Sequence, residues 1–143
     1  MFVKNNDLIE VKVYYKQSGH RFLVLTQDDI DTKIKNKKLT KEQLENDYQV
    51  LSLQMSVLSW GAYNEFQSNA SKLTAQGERY FDYRTYKEDR LKKLIKTWDA
   101  VDGEGKSVPI NESTIMSLVP VMGDAIVKGY DEASFYDEES EKK

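Results

Sequence analysis

"TKEQLENDYQVLSLQMSVLSWGAYNEFQS", residues 40–68, is the stretch whose hydrophobic period decides the fold. Thr40 and Gln43 have the spacing of a capping box, in which each side chain satisfies the other residue's backbone N–H at a helix start. Leu44, Tyr48, Leu51, Met55, Leu58 and Ala62 then follow in alternating steps of four and three, the period of one helix face. Val50, Leu53, Val57 and Trp60 form a second stripe, rotated about the same axis. A helix apolar on two sides must be covered on two sides. The spacing predicts one central helix from Lys41 to about Ser68, about 42 Å long at about 1.5 Å per residue. Gly61 within it costs about 1 kcal/mol relative to alanine and marks a kink or a close packing partner.

Upstream, Leu8 to Tyr15 mixes β-branched and aromatic residues, Gln17-Ser18-Gly19 reads as a turn, and Arg21 to Thr26 is a second apolar run. The pair predicts a β-hairpin, which must pack on the helices or on another chain because a lone hairpin is marginal in water. Thr26 caps a short polar helix or turn, with Asp28 and Asp29 in its first turn. Downstream, residues 69–77 are loop. A further helix starts near Arg79 or Thr85 and runs to Ala100, with Leu91, Leu94, Ile95 and Trp98 facing inward. Asp102-Gly103-Glu104-Gly105 is a turn by composition. Asn111 caps a last helix carrying Ile115, Leu118, Val119, Met122, Ile126 and Val127, which Pro120 kinks or splits. The expected fold is therefore mainly α. An N-terminal β-hairpin region at 1–26 precedes a small helical bundle over 40–130 with one long central helix, making a single domain over 1–130 before an acidic tail at 131–143.

Composition agrees with one domain: 143 residues, 39% hydrophobic. The absence of cysteine excludes disulfides and thiolate metal sites and favours a reducing cytoplasm. The opening MFVKNNDLIEV lacks an apolar core of signal-peptide length, and no stretch approaches the roughly 20 apolar residues that span a bilayer. A soluble intracellular protein with no membrane contact is expected. The net charge of −3 hides segregation. Lys33, Lys35, Lys37, Lys38 and Lys41 form one basic cluster, Arg84, Lys87, Arg90, Lys92, Lys93 and Lys96 a second, and the end of the chain is acidic. Clustered cations fit phosphates or solvated helix faces. The second reading is preferred, because the acidic tail competes for the same patches.

The chemistry-bearing motifs are incomplete. Gly105-Lys106-Ser107 ends like a phosphate-binding loop, but Ala100 stands where the first glycine belongs, a helix enters where a strand should, and Pro109 follows. Asp99 and Asp102 lack the alternate spacing of a calcium loop. His20, beside the hairpin turn, has no evident catalytic or zinc partner. Asn69-Ala70-Ser71 and Asn111-Glu112-Ser113 match the glycosylation pattern, which has no meaning without a secretory signal. No enzyme, cofactor or metal is expected. The aromatics beside Arg84, Lys87 and Arg90 can stack nucleic-acid bases. The preferred reading makes Trp60 and Trp98 anchors between the long helices and leaves the tyrosines half-buried or at a protein interface. Val50, Leu53, Val57, Trp60, Tyr83 and Tyr86 are the candidate partner-binding residues.

Two pieces carry a resemblance: LSWGAYNEF at 58–66 and YRTYKEDRLKKLIKTWDAVDGEGKSVPINESTIMSLVPVMGDAIVKGY at 83–130. The basic helix ending in Leu94 and Trp98, the Asp-Gly turn, the Val-Pro step and the capped helix with a tyrosine near its end resemble the tail assembly chaperones of long-tailed bacteriophages. The likeness covers about half of the chain, Met55 to Tyr130, and is one of pattern. It implies a non-enzymatic helper in the host cytoplasm that binds a long helical tape measure protein and keeps it soluble during tail assembly, often with a frameshifted longer form. Self-association is compatible with it. Two alternatives stand beside it: a structural subunit of the virion, from tail or head, and a nucleic-acid-binding accessory protein using the two basic clusters.

Overall fold

Leu51 to Ser56 alternates strictly between apolar and polar residues, and the chain takes that period of two. The computed structural model describes residues 1–135. The long helix expected over 41–68 is three elements: helix α2 (Lys41–Asp47), strand β3 (Gln49–Ser56) and helix α3 (Trp60–Ala70). The capping box at Thr40 is present as expected, but it opens two turns of helix. Tyr48 is already extended, with φ −112° and ψ 145°. Ser59 then caps α3 by accepting from the Ala62 N–H at 3.2 Å, which places Gly61 in the first turn of a new helix.

The fold is thus mixed α/β, and the mainly α expectation is corrected. Strand β1 (Leu8–Ser18) and strand β2 (Arg21–Thr26) form the expected hairpin. β3 adds to the other side of β1, and strand β6 (Ile95–Trp98) adds to β3, giving an antiparallel sheet of order β2-β1-β3-β6. A two-stranded ribbon of β4 (Ser71–Leu73) and β5 (Arg79–Phe81) lies between α3 and helix α4 (Tyr83–Leu94). The helix expected to reach Ala100 stops at Leu94, because Ile95-Lys96-Thr97-Trp98 pairs with β3. Helix α1 (Gln27–Lys35) starts at the Thr26 capping box. Pro120 splits the last helical region into α5 (Glu112–Met116) and α6 (Pro120–Ser134), with Pro120 at the first helical position, where its missing N–H is harmless. α6 runs beyond residue 130, so Asp131 and Glu132 are helical; residues 136–143 of the expected acidic tail lie outside the described residues.

Alternation sorts the sheet into two faces. Val11 and Val13 of β1 and Leu51, Leu53 and Met55 of β3 are buried against Met122, Ile126, Val127 and Tyr130 of α6, with Leu91 and Leu94 of α4 and Phe66 of α3 completing the core. Glu10, Lys12, Ser52 and Gln54 take the opposite face. Leu25 and Tyr14, cross-strand partners on that face, join Ile30, Leu39 and Leu44 in a smaller cluster that ties α1 and α2 to the hairpin. Gly129 permits the close approach of α6 to β1: a Cβ there would stand 3.0 Å from Val11 Cγ1.

The stretch resembling a phosphate-binding loop is a tight turn that extends β6. Val101 bridges Ser107, and Gly105 adopts φ +80°, a left-handed conformation natural to glycine. The N–H groups of Glu104 and Lys106 both donate to Asp102 Oδ1, at 2.8 and 3.0 Å, so these loop amides are already committed. The Lys106 ammonium makes an exposed ion pair with Glu104 at 3.6 Å. Lys106→Ala should therefore change unfolding free energy by less than about 0.5 kcal/mol in a urea titration.

Candidate functional site

Trp60 is 82% exposed, although tryptophan is among the most costly side chains to leave in water. It is not the inter-helix anchor expected; Ser59 starts α3 so that the indole stands at the rim of the core. Trp98, by contrast, is half-buried, and its Nε1–H donates to the Val108 carbonyl at 2.8 Å. Beside Trp60 lies a cleft of about 290 Å³ where the start of β1, the β3–α3 corner, α4 and the end of α6 meet. Its apolar walls include Ile9, Val57, Leu58, Tyr63 and Phe135. Tyr130 holds the floor: its hydroxyl donates to the Ser56 carbonyl at 2.9 Å and accepts from the Leu58 N–H at 3.2 Å. This clamp fixes the corner on which Trp60 is presented.

Arg90 closes the deep end of the cleft. Its side chain is 3% exposed, whereas the sequence placed it on an outward basic face. The guanidinium lies 4.1 Å from the centre of the Tyr86 ring, a buried cation–π contact. Its ion pair is with Asp131, Nη1 to Oδ1 at 3.8 Å. Burial pushes the Asp131 carboxyl above the usual range, against the pull of Arg90 and of the Tyr86 hydroxyl. Burial and the nearby Asp131 charge likewise raise the Tyr86 hydroxyl. Tyr86 also meets Phe81 and Tyr83, with ring centres 5.5 and 5.4 Å away, so an aromatic cluster continues from Arg90 onto the exposed ribbon.

Of the six candidate residues, the structure brings Val57 and Trp60 to the cleft and links Tyr86 and Tyr83 to it through Arg90. It separates the other two. Leu53 is 1% exposed and points into the core, so it is withdrawn as a contact residue; Val50 points to the opposite face, opposite Tyr14. A helical spacing puts both on one stripe, which a strand cannot maintain. Arg90, Tyr130, Asp131, Ile9 and Phe135 were missed. Arg90 had one legible signal, its place four residues after Tyr86 and four before Leu94 on the inward line of α4.

The second basic cluster is partly neutralised, with Lys87 paired to Asp124 at 3.0 Å and Lys92 to Glu112 at 3.1 Å. His20 is exposed at the β1–β2 turn. Among the described residues no helix is long and apolar enough to cross a membrane. Comparisons of the chain with protein-family models, with curated proteins and with solved structures found no match.

Proposed function

We propose that the chain is a non-enzymatic protein-binding helper of phage tail assembly that holds a helical segment of a tape measure protein in the host cytoplasm. The pattern of 58–66 and 83–130 supplies the phage setting. The observation that carries protein binding is Trp60, exposed at the mouth of a preformed apolar cleft and continuous through Arg90 with the Tyr86, Tyr83 and Phe81 rings. Aromatic residues around an apolar depression are the usual anchors of protein interfaces, and an amphipathic helix presents side chains at the spacing such a groove accepts.

The test is co-expression of the tagged chain with the tape measure protein of the same phage. Trp60→Ala should abolish co-purification while shifting the thermal midpoint by no more than a surface substitution does, within about 0.5 kcal/mol. Undiminished capture by Trp60→Ala overturns the reading. Stoichiometric copies of the protein in mature particles, measured by mass spectrometry, replace it with a structural virion role.

A further inference from the structure

Arg90 is a buried cation with one donor, Nε, left unsatisfied by the described residues. A guanidinium carries five N–H donors, and buried donors in native proteins nearly always find acceptors. Nε of Arg90 is sealed from solvent and has no hydrogen-bond partner among the described residues. The ion pair with Asp131 spans 3.8 Å, beyond hydrogen-bond reach. Asp131 is equally loosely held: Oδ1 is buried without a hydrogen bond, and Oδ2 accepts one long contact of 3.5 Å from the Tyr86 hydroxyl. Stacking on Tyr86 fixes the guanidinium plane, so its donor edge is oriented before a ligand arrives.

We propose that the cleft receives an acidic side chain of a peptide partner, its carboxylate paired with Arg90 and the adjoining bulky apolar side chain laid against Leu58 and Trp60. A carboxylate is acceptor-only and matches the guanidinium fork. A phosphate dianion fits less well, because the Asp131 carboxylate beside Arg90 repels two charges more than one and much of the wall is apolar. A free small acid would leave Trp60 and Phe135 uncovered at the rim, whereas a peptide covers them. Asp131 is the resident competitor for Arg90, loosely enough paired to yield the guanidinium edge to the incoming charge. The inference rests on the reading of this face as protein-binding and adds the chemistry of what it takes.

The test uses the full chain, labelled with nitrogen-15. It is titrated with a blocked hexapeptide whose centre is Leu-Glu-Phe and with its Leu-Gln-Phe counterpart, and the Arg90 Nε–H and Trp60 indole N–H resonances are followed. The glutamate peptide should move both resonances and bind at least about tenfold tighter than the glutamine peptide. Asp131→Asn should bind the glutamate peptide several-fold tighter again, because a competing charge is gone. Arg90→Met should make the two peptides equal; should that variant not fold, the peptide pair on the unaltered chain and Asp131→Asn decide. Equal binding of the two peptides by the unaltered chain, no binding of either, or shifts at Trp60 without Arg90 overturn the proposal. So does saturation of Arg90 by 3-phenylpropionate without peptide binding, which assigns the cleft to a free acid. Loss of discrimination while Trp60→Ala still abolishes co-purification leaves the protein-binding reading intact. Discrimination retained while Trp60→Ala changes nothing removes that reading and keeps the acidic-peptide site.

Discussion

Leu53→Ala should destabilise the protein by about 3 kcal/mol or more, within the range of about 2–5 kcal/mol for buried Leu-to-Ala truncations. Leu53 is 1% exposed, lies beside Val11 on one neighbouring strand and Trp98 on the other, and faces the helical layer. Removing its three outer carbons leaves a cavity in the middle of the sheet, where the pairing on both sides resists collapse. The measurement is a urea titration: the midpoint should fall while the slope stays unchanged. A loss under about 1 kcal/mol, with partner binding selectively impaired, would mean that Leu53 is a surface contact after all and that β3 is misassigned.

The second large effect belongs to Gly129. A leucine there must place its first carbon 3.0 Å from Val11 Cγ1 and still find room for three more atoms between α6 and β1. Val11 is 2% exposed on an interior strand and cannot step aside. Gly129→Leu should therefore cost about 3 kcal/mol, at the upper end of ordinary overpacking. Alanine at 129 gains about 1 kcal/mol of helix propensity, which offsets most of the milder overlap. Gly123 is the internal control. A Cβ there meets Leu91 Cδ1 at 3.7 Å, an ordinary contact, so Gly123→Ala should stabilise by up to about 1 kcal/mol. The three thermal midpoints should thus rank Gly123→Ala above Gly129→Ala, and Gly129→Leu far below both. A Gly129→Leu protein as stable as the parent would show that α6 does not approach β1 this closely.

The elements carried by local chemistry were legible. The hairpin, the cap at Thr26, the Asp102–Gly105 turn, the cap at Asn111 and the break at Pro120 each rest on a few adjacent residues and appear in the structure. The central error came from a seven-residue spacing. Leu44, Leu51 and Leu58, like Tyr48, Met55 and Ala62, fall seven apart, which fits a helical seam, while the period-two run from Leu51 to Ser56 inside it fits a strand equally well. Ser59 was the overlooked arbiter, a helix cap in the interior of a supposed helix. The same limit governed the site. Trp60 and Val57 were accessible to reasoning because they stand three positions apart in sequence. The Tyr130 clamp joins residues 74 positions apart, and Arg90 was assigned to solvent because that is where arginine usually lies.

The placement of α6 also bears on how the chain matures. Thr26 and Glu132, which share a hydrogen bond, stand 106 positions apart, and α6 is the last described helix to be synthesised. Until it emerges, the sheet can pair its strands, but Val11, Val13, Leu51 and Leu53 face water without their lid. Long-range closure of this kind is slow, and its waiting state is prone to aggregate. On the ribosome, then, the nascent sheet carries an uncovered apolar face during the interval before α6 docks. A chain that ended before α6 would keep it.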